Sequence, residues 1–170
     1  MEESFQCTPA ELEQVINTYG NMVYRLAYSH TRSKADAEDL YQEVFLRYFQ
    51  KRPRFDSEEH RKAWLLRVTV NRARSLVTSA WFRLRAPLEE WVPAFEPEER
   101  KLDEALRELN AKDRMLLHLY YYEELSVREI AGLLKRKEST VRTQLTRARR
   151  KLAQIMKGEE YDENGIYPHE

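Results

Sequence analysis

Apolar positions recur at helical spacing along most of this chain. Leu12, Val15, Ile16, Tyr19, Met22, Val23, Leu26 and Ala27 form the first stripe, the steps that keep side chains on one face of a helix. Thr8 and Glu11 flank Pro9 at its start. A Thr cap with Glu three residues on makes a reciprocal capping box, and Pro suits the first turn because its missing N–H would be unpaired there. Ser33 with Asp36 opens a second helix, with Ala37, Leu40, Tyr41, Val44, Phe45 and Tyr48 facing inward. Pro53 ends it, since proline disfavours helical geometry in the residue before it. Ser57 opens a third, running through Trp64, Leu65, Val68, Val70, Ala73 and Leu76 to about Ala80. Three such helices can bury one shared core. No run alternates at the period of a strand, so the expected fold is all-α.

Residues 86–100 change character. Pro87, Pro93 and Pro97, with Glu89, Glu90, Glu96, Glu98 and Glu99, read as an acidic linker. Trp91 and Phe95 inside it are unusual for a solvated tether. Helical pattern resumes near Glu98 and again after Asn110, with Leu102, Leu106, Leu109, Met115, Leu116 and Leu119 apolar. Ser126 and Glu129 make another capping box, opening a short helix whose inner face is Ile130, Ala131 and Leu134. Lys135, Arg136 and Lys137 break the pattern. A further helix follows, with Val141, Leu145, Ala148 and Leu152 inward. A short helix, a tight turn and a second helix, with small Ala131 at the crossing, is a helix-turn-helix. The expected architecture is two small helical domains: a three-helix core over 8–85 and a helix-turn-helix unit over 101–157. The linker 86–100 joins them, and an acidic tail, 158–170, is expected to fray.

Charge sharpens this picture. The 170 residues carry 29 basic and 29 acidic side chains, yet the zero sum hides alternating blocks. Lys+Arg minus Asp+Glu is −4 over 1–50, +7 over 51–85, −5 over 86–108, −1 over 109–125, +8 over 126–157 and −5 over 158–170. Two basic blocks point to contact with a polyanion at two places. Other classes fall away. Cys7 is the single cysteine and no Cys/His cluster has zinc spacing, which suits a reducing cytoplasm and gives no reason to expect a metal. No basic segment precedes an apolar run near the start, and no stretch approaches the roughly 20 apolar residues of a membrane span. Four glycines leave no phosphate loop or dinucleotide fingerprint, so no cofactor is expected. The four histidines are scattered and no nucleophile elbow exists, which makes an enzyme a poor reading.

Three blocks carry candidate chemistry. The last helix bears Arg142, Thr143, Gln144, Arg147, Arg149, Arg150 and Lys151 outward. Arg can reach two acceptors on a guanine edge and Gln can do the same with adenine, while other cations neutralise phosphates. A solvated helix of an ordinary bundle would carry compensating acids, and Glu138 is the single one in this helix. Residues 36–49, DAEDLYQEVFLRYF, place Asp36, Asp39 and Glu43 beside Gln42. That stripe is either a solvated face or a dock for a basic partner helix. Residues 61–76, RKAWLLRVTVNRARSL, interleave Arg61, Lys62, Arg67, Arg72 and Arg74 with Trp64 and Asn71. Cations follow phosphates and aromatics can stack on unpaired bases; equally, Trp64 can be plain core.

Together the blocks DAEDLYQEVF, AWLLRVTVNRARSL, and LSVREIAGLL followed by STVRTQLTRARRKL resemble a bacterial sigma factor of the extracytoplasmic-function group, within the sigma-70 family. The resemblance covers about Tyr19–Ala80 and Leu102–Lys157. It implies that Asp39, Gln42 and Glu43 dock on the clamp coiled coil of core RNA polymerase's largest subunit. It implies that the loop Arg54–His60, including Phe55, and the face of Trp64, Arg67, Asn71 and Arg72 open and read the −10 promoter element. Arg142, Thr143, Gln144, Thr146 and Arg147, with Arg149 beside them, match the −35 recognition helix. The linker would thread the polymerase channel. The family has no catalytic residues of its own, and commonly has a membrane-anchored anti-sigma partner; the sigma chain itself is not inserted in the membrane. The turn departs from the family pattern, with Lys135 and Arg136 where Gly and an apolar residue are usual. A left-handed Lys135 would cost roughly 1–2 kcal/mol. The rival reading is a free-standing helix-turn-helix regulator that binds a two-fold site as a homodimer; the 36–76 region is what such a regulator does not need.

Overall fold

Helix starts in this protein lie where capping side chains put them. In the computed structural model, which describes residues 7–78 and 97–158, Thr8 caps α1 (Pro9–Thr31) with both halves of the capping box formed. The Ser33 hydroxyl accepts from the Asp36 N–H at the start of α2 (Lys34–Lys51). Ser57 accepts from the His60 N–H at 3.1 Å, opening α3 (Glu58–Thr78). The sequence-predicted caps of these three helices are all formed. Next come α4 (Pro97–Glu108), α5 (Ala111–Leu117), α6 (Val127–Leu134) and α7 (Glu138–Lys157). Past α5 the chain widens into a π-helical turn, His118–Tyr122. Among the described residues no strand occurs. The chain is all-α, as its periodicity predicts.

α4 begins at Pro97, inside the stretch read as linker. Residues 79–96, with Trp91 and Phe95, and the tail 159–170 lie outside the described residues.

One cluster fills the middle of α1, α2 and α3: Val15, Val23, Val44, Phe45, Tyr48 and Leu65. Gly20 is buried where α1 meets α2, and a Cβ there would come within 3.0 Å of the Tyr41 hydroxyl. The second cluster is the larger and crosses the expected domain boundary. Leu26, Ala27, Leu40, Leu66, Val70 and Ala73 join Leu109, Met115, Leu116, Leu119 and Ile130 in one core. The reason lies in α1. Beyond Val23 its apolar face is wider than α2 and α3 can cover, and α5 closes over the remainder. The two lobes therefore share buried surface.

Candidate nucleic-acid interface

The helix-turn-helix is built from its turn outward. Ser126 and Glu129 complete the capping box of α6. Lys135 ends α6 in left-handed geometry, φ 53° and ψ 50°, the conformation expected where the family usually has Gly. Lys137 caps α7 without a side-chain hydrogen bond. Val141, Leu145 and Ala148 bury one face of α7. Arg142, Thr143, Thr146, Arg147 and Arg149 are exposed on the others. Thr143, Thr146 and Arg147 follow one another at steps of three and one residues, which puts them on one outward stripe. The two threonine hydroxyls donate to the carbonyls of Ser139 and Arg142 one turn back. Gln144 does not join this stripe. It is half-buried on the flank of α7, where Arg136 donates to its Oε1 at 2.7 Å. Arg149 sits on the opposite flank, its guanidinium 5.1 Å from the Tyr120 ring centre and 5.6 Å from that of Tyr121.

In the first lobe, Phe55 and Trp64 are fixed by packing. Their rings lie 6.1 Å apart, and Tyr48 sits 6.1 Å from Phe55 and 5.7 Å from Trp64. Trp64 is half-buried in this trio, packed against the core of the first lobe. Arg54, His60, Arg67 and Asn71 are exposed around it. His60 lies 3.7 Å from Asp56. Arg72 is half-buried in an ion pair with Glu43 of α2. That contact ties a residue assigned to DNA to one assigned to polymerase. Asp39 and Gln42 are exposed next to it.

The segment expected as a loop over Arg54–His60 is a loop only over 52–57, since α3 already begins at Glu58, and beside it opens a cavity of about 820 Å³, walled by α1, the end of α2 and the start of α3. Its walls include Arg61, one of the candidate cations of the 61–76 block, together with Tyr19, Arg52 and Glu58, which carried no candidate role of their own in the sequence. The Tyr19 hydroxyl donates to the Glu58 carboxylate at 2.7 Å, and burial followed by that bond pushes its pKa up to about 12. Tyr19 is thus a hydroxyl donor, never a phenolate, at neutral pH. Arg61 pairs with Glu58 and stacks over Phe55 at 5.5 Å. Aromatic walls with a fixed hydroxyl and a guanidinium suit a planar, hydrogen-bonding base. No periodicity reports this pocket, because α1 reaches it only through the tertiary fold. Among the described residues no cluster of acid, His or Cys side chains could hold a metal, and no described helix is long and apolar enough to cross a membrane.

Residues 15–83 match the family model of sigma-70 region 2, and residues 99–152 match that of sigma-70, region 4. Among curated relatives, the chain is 30% identical over 151 residues to the extracytoplasmic-function RNA polymerase sigma factor SigM of Bacillus subtilis, covering 83% of this chain and 92% of that one. It is 30% identical over 156 residues to the sigma factor BldN of Streptomyces coelicolor, covering 84% of this chain and 59% of BldN. The chain thus spans about six-tenths of the length of that relative, and the same share of SigE of Mycolicibacterium smegmatis. Among solved structures, the fold resembles CnrH in complex with the cytosolic domain of CnrY, with a TM-score of 0.66, 23% identity, and 90% and 92% of the two chains covered. It also resembles the sigma factor RpoE of Bartonella quintana, bound to the anti-sigma factor NepR, with a TM-score of 0.65, 20% identity, and 89% and 99% covered.

Proposed function

This chain belongs to the extracytoplasmic-function group of the sigma-70 family, and from that membership we propose that it binds core RNA polymerase and directs initiation at promoters carrying a −10 and a −35 element. The observation that carries the reading is the outward stripe Thr143, Thr146 and Arg147 on a helix whose turn and caps are built to present it. In this reading α7 enters the major groove at the −35 element. Arg147 reaches base edges, while Arg142 and Arg149 hold the phosphates. Trp64, Arg67, Asn71 and the Arg54–His60 segment take the melted −10 strand. A flipped base enters the pocket beside Tyr19, Phe55 and Arg61, and the few kcal/mol of unstacking are offset by stacking there.

Asp39 and Gln42, solvent-facing, with half-buried Glu43 beside them in its pair with Arg72, offer an acidic dock to the basic clamp coiled coil. Polymerase forms the phosphodiester bonds, so the chain contributes recognition and no catalysis, and it works in the cytoplasm where polymerase is. An anti-sigma protein is a further partner in this proposal, by similarity to the RpoE–NepR complex above. The test is to combine the purified chain with core polymerase, select genomic fragments that are transcribed, and map the start sites. The reading predicts starts downstream of a shared pair of motifs at fixed spacing. Starts unchanged from those of core polymerase alone would overturn it.

A further inference from the structure

The π-helical turn His118–Tyr122 points three consecutive tyrosines in two directions. Its hydrogen bond closes five residues on, from the Glu123 N–H to the His118 carbonyl at 3.1 Å. Turns of this kind are rare and are frequent at functional sites. Tyr122 is turned toward α1: the Arg25 guanidinium lies 5.1 Å from its ring centre, and His118 stacks on it at 4.9 Å. Tyr120 and Tyr121 are turned toward α7. Their ring centres are 4.9 Å apart and their planes meet at 82°, so the two rings form a corner. The Arg149 guanidinium occupies that corner, 5.1 Å from one centre and 5.6 Å from the other. Tyr120 is half-buried against the shared core, whereas Tyr121 is 58% exposed.

Charge and position give this corner a use. Among the described residues Arg149 has no carboxylate partner, so two rings hold it and no acid neutralises it. Stacking on rings occupies the flat face of a guanidinium and leaves its N–H edge for oxygen acceptors. Arg142 and Arg149 are both exposed and stand seven residues apart on one flank of α7, with Thr146 between them. Seven residues are two turns, about 10 Å along the axis. Cations so spaced on the flank of a helix in the major groove face the phosphates of a bordering strand.

We propose that Tyr120 and Tyr121 are positioning residues of the −35 interface: their corner holds the Arg149 guanidinium edge-out, ready for a backbone phosphate of the strand beside α7. The inference rests on the promoter reading above and extends the DNA-binding surface from α7 to the π-helical turn. The gain is one of preorganisation. A free arginine side chain gives up its rotamer freedom when it meets a phosphate, and one already held between two rings has less to lose. Phosphate contacts carry no sequence information, so the corner raises affinity without changing base preference.

The test has two arms, both on the full chain. The first needs no DNA. Aromatic rings shield protons over their faces, so the side-chain NMR signals of Arg149, assigned by their loss in Arg149→Lys, are expected upfield of those of other exposed arginines. Tyr121→Leu is expected to move them into the ordinary range, and Tyr121→Phe, which keeps the ring, is not. Tyr121 is mostly exposed, so these variants keep the fold, and half-buried Tyr120 is left intact. Arg149 signals already in the ordinary range in the wild-type chain overturn the proposal. The second arm adds core polymerase and one of the mapped promoters. Tyr121→Leu is expected to weaken binding about two- to fivefold, the range of an exposed cation–π contact, with Tyr121→Phe near wild type and Tyr121→Trp at or above it. The loss is expected to be the same at every −35 sequence variant. In an Arg149→Ala background, Tyr121→Leu is expected to have no further effect. An equal loss in both backgrounds shows that Tyr121 acts apart from Arg149 and overturns the proposal, as does unchanged affinity in Tyr121→Leu. A wild-type chain that fails to bring polymerase to the promoter sinks the promoter reading instead, while the first arm is read without DNA or polymerase, so the two failures are separable.

Discussion

The ion pair between Glu43 on α2 and Arg72 on α3 joins two surfaces with different proposed partners. Reversing either charge therefore has two effects. Glu43→Arg is expected to weaken polymerase binding and also to lower stability, because Arg72 is half-buried and would face a like charge. Asp39→Arg is the cleaner probe. Asp39 is exposed, so polymerase affinity is expected to fall about tenfold or more by loss of charge complementarity, with no change in the melting midpoint. Co-purification with core polymerase and a thermal melt on the same sample check both. Arg147 gives the matching prediction for DNA. Arg147→Ala is expected to cost about 1–3 kcal/mol at the −35 element and to relax preference at one base position. A uniform loss across all sequences in a promoter-variant series would show that Arg147 contacts phosphate alone. Gln144 illustrates what a residue pattern leaves out. Its place in the motif suggests base readout, but its bond to Arg136 comes from a turn whose fold depends on the left-handed Lys135.

At the scale of elements, caps were the most legible feature. Two Thr/Ser-x-x-Glu boxes and the Ser33 and Ser57 caps predict four helix starts, and all four form in the structure. Capping is a contact between residues three apart, so the sequence contains the whole interaction. The box at α6 has a pH signature. Glu129 is held below the ordinary carboxylate range, first by its hydrogen bond with the Ser126 backbone and then by that with the Ser126 side chain. A carboxylate with a lowered folded pKa gives stability that is present above its unfolded pKa and lost as pH falls through the folded one. Ser126→Ala is expected to cost about 1 kcal/mol at pH 7. The gap between variant and wild-type melts is expected to narrow on acidification; a gap that widens would contradict the assignment. The π-helical turn at His118–Tyr122 was not legible, since His-Leu-Tyr-Tyr-Tyr continues the α-helical pattern of α5 without a breaking residue. Its widening goes with the packing of Leu119 into the shared core.

For the whole molecule, the fold class and the order of the elements could be read from periodicity, but the union of the lobes could not. Arg32, Asp103 and Arg114 look like solvated charges in the sequence, and only the fold places them against each other. His30 is the most consequential of these hidden positions. It is 4% exposed, and its ring nitrogens face the Ala73 and Ala111 carbonyls without closing a hydrogen bond. Burial first, then the Arg114 charge, pushes its pKa down from 6.5 to about 4. A base with a lowered folded pKa takes up protons preferentially when unfolded. Stability is therefore full above about pH 6.5 and falls as pH drops toward 4, by about 3 kcal/mol for a shift of this size. His30→Leu is expected to flatten that part of the pH–stability curve. An identical slope in variant and wild type would place the acid sensitivity elsewhere.

The measurement that bears most directly on this account is a footprint of the purified chain on one of its mapped promoters, with and without core polymerase. Two separate protected stretches, about 25 base pairs apart, that depend on polymerase are the predicted result. A single palindromic footprint, made by a dimer of the chain alone and unaffected by polymerase, would contradict it.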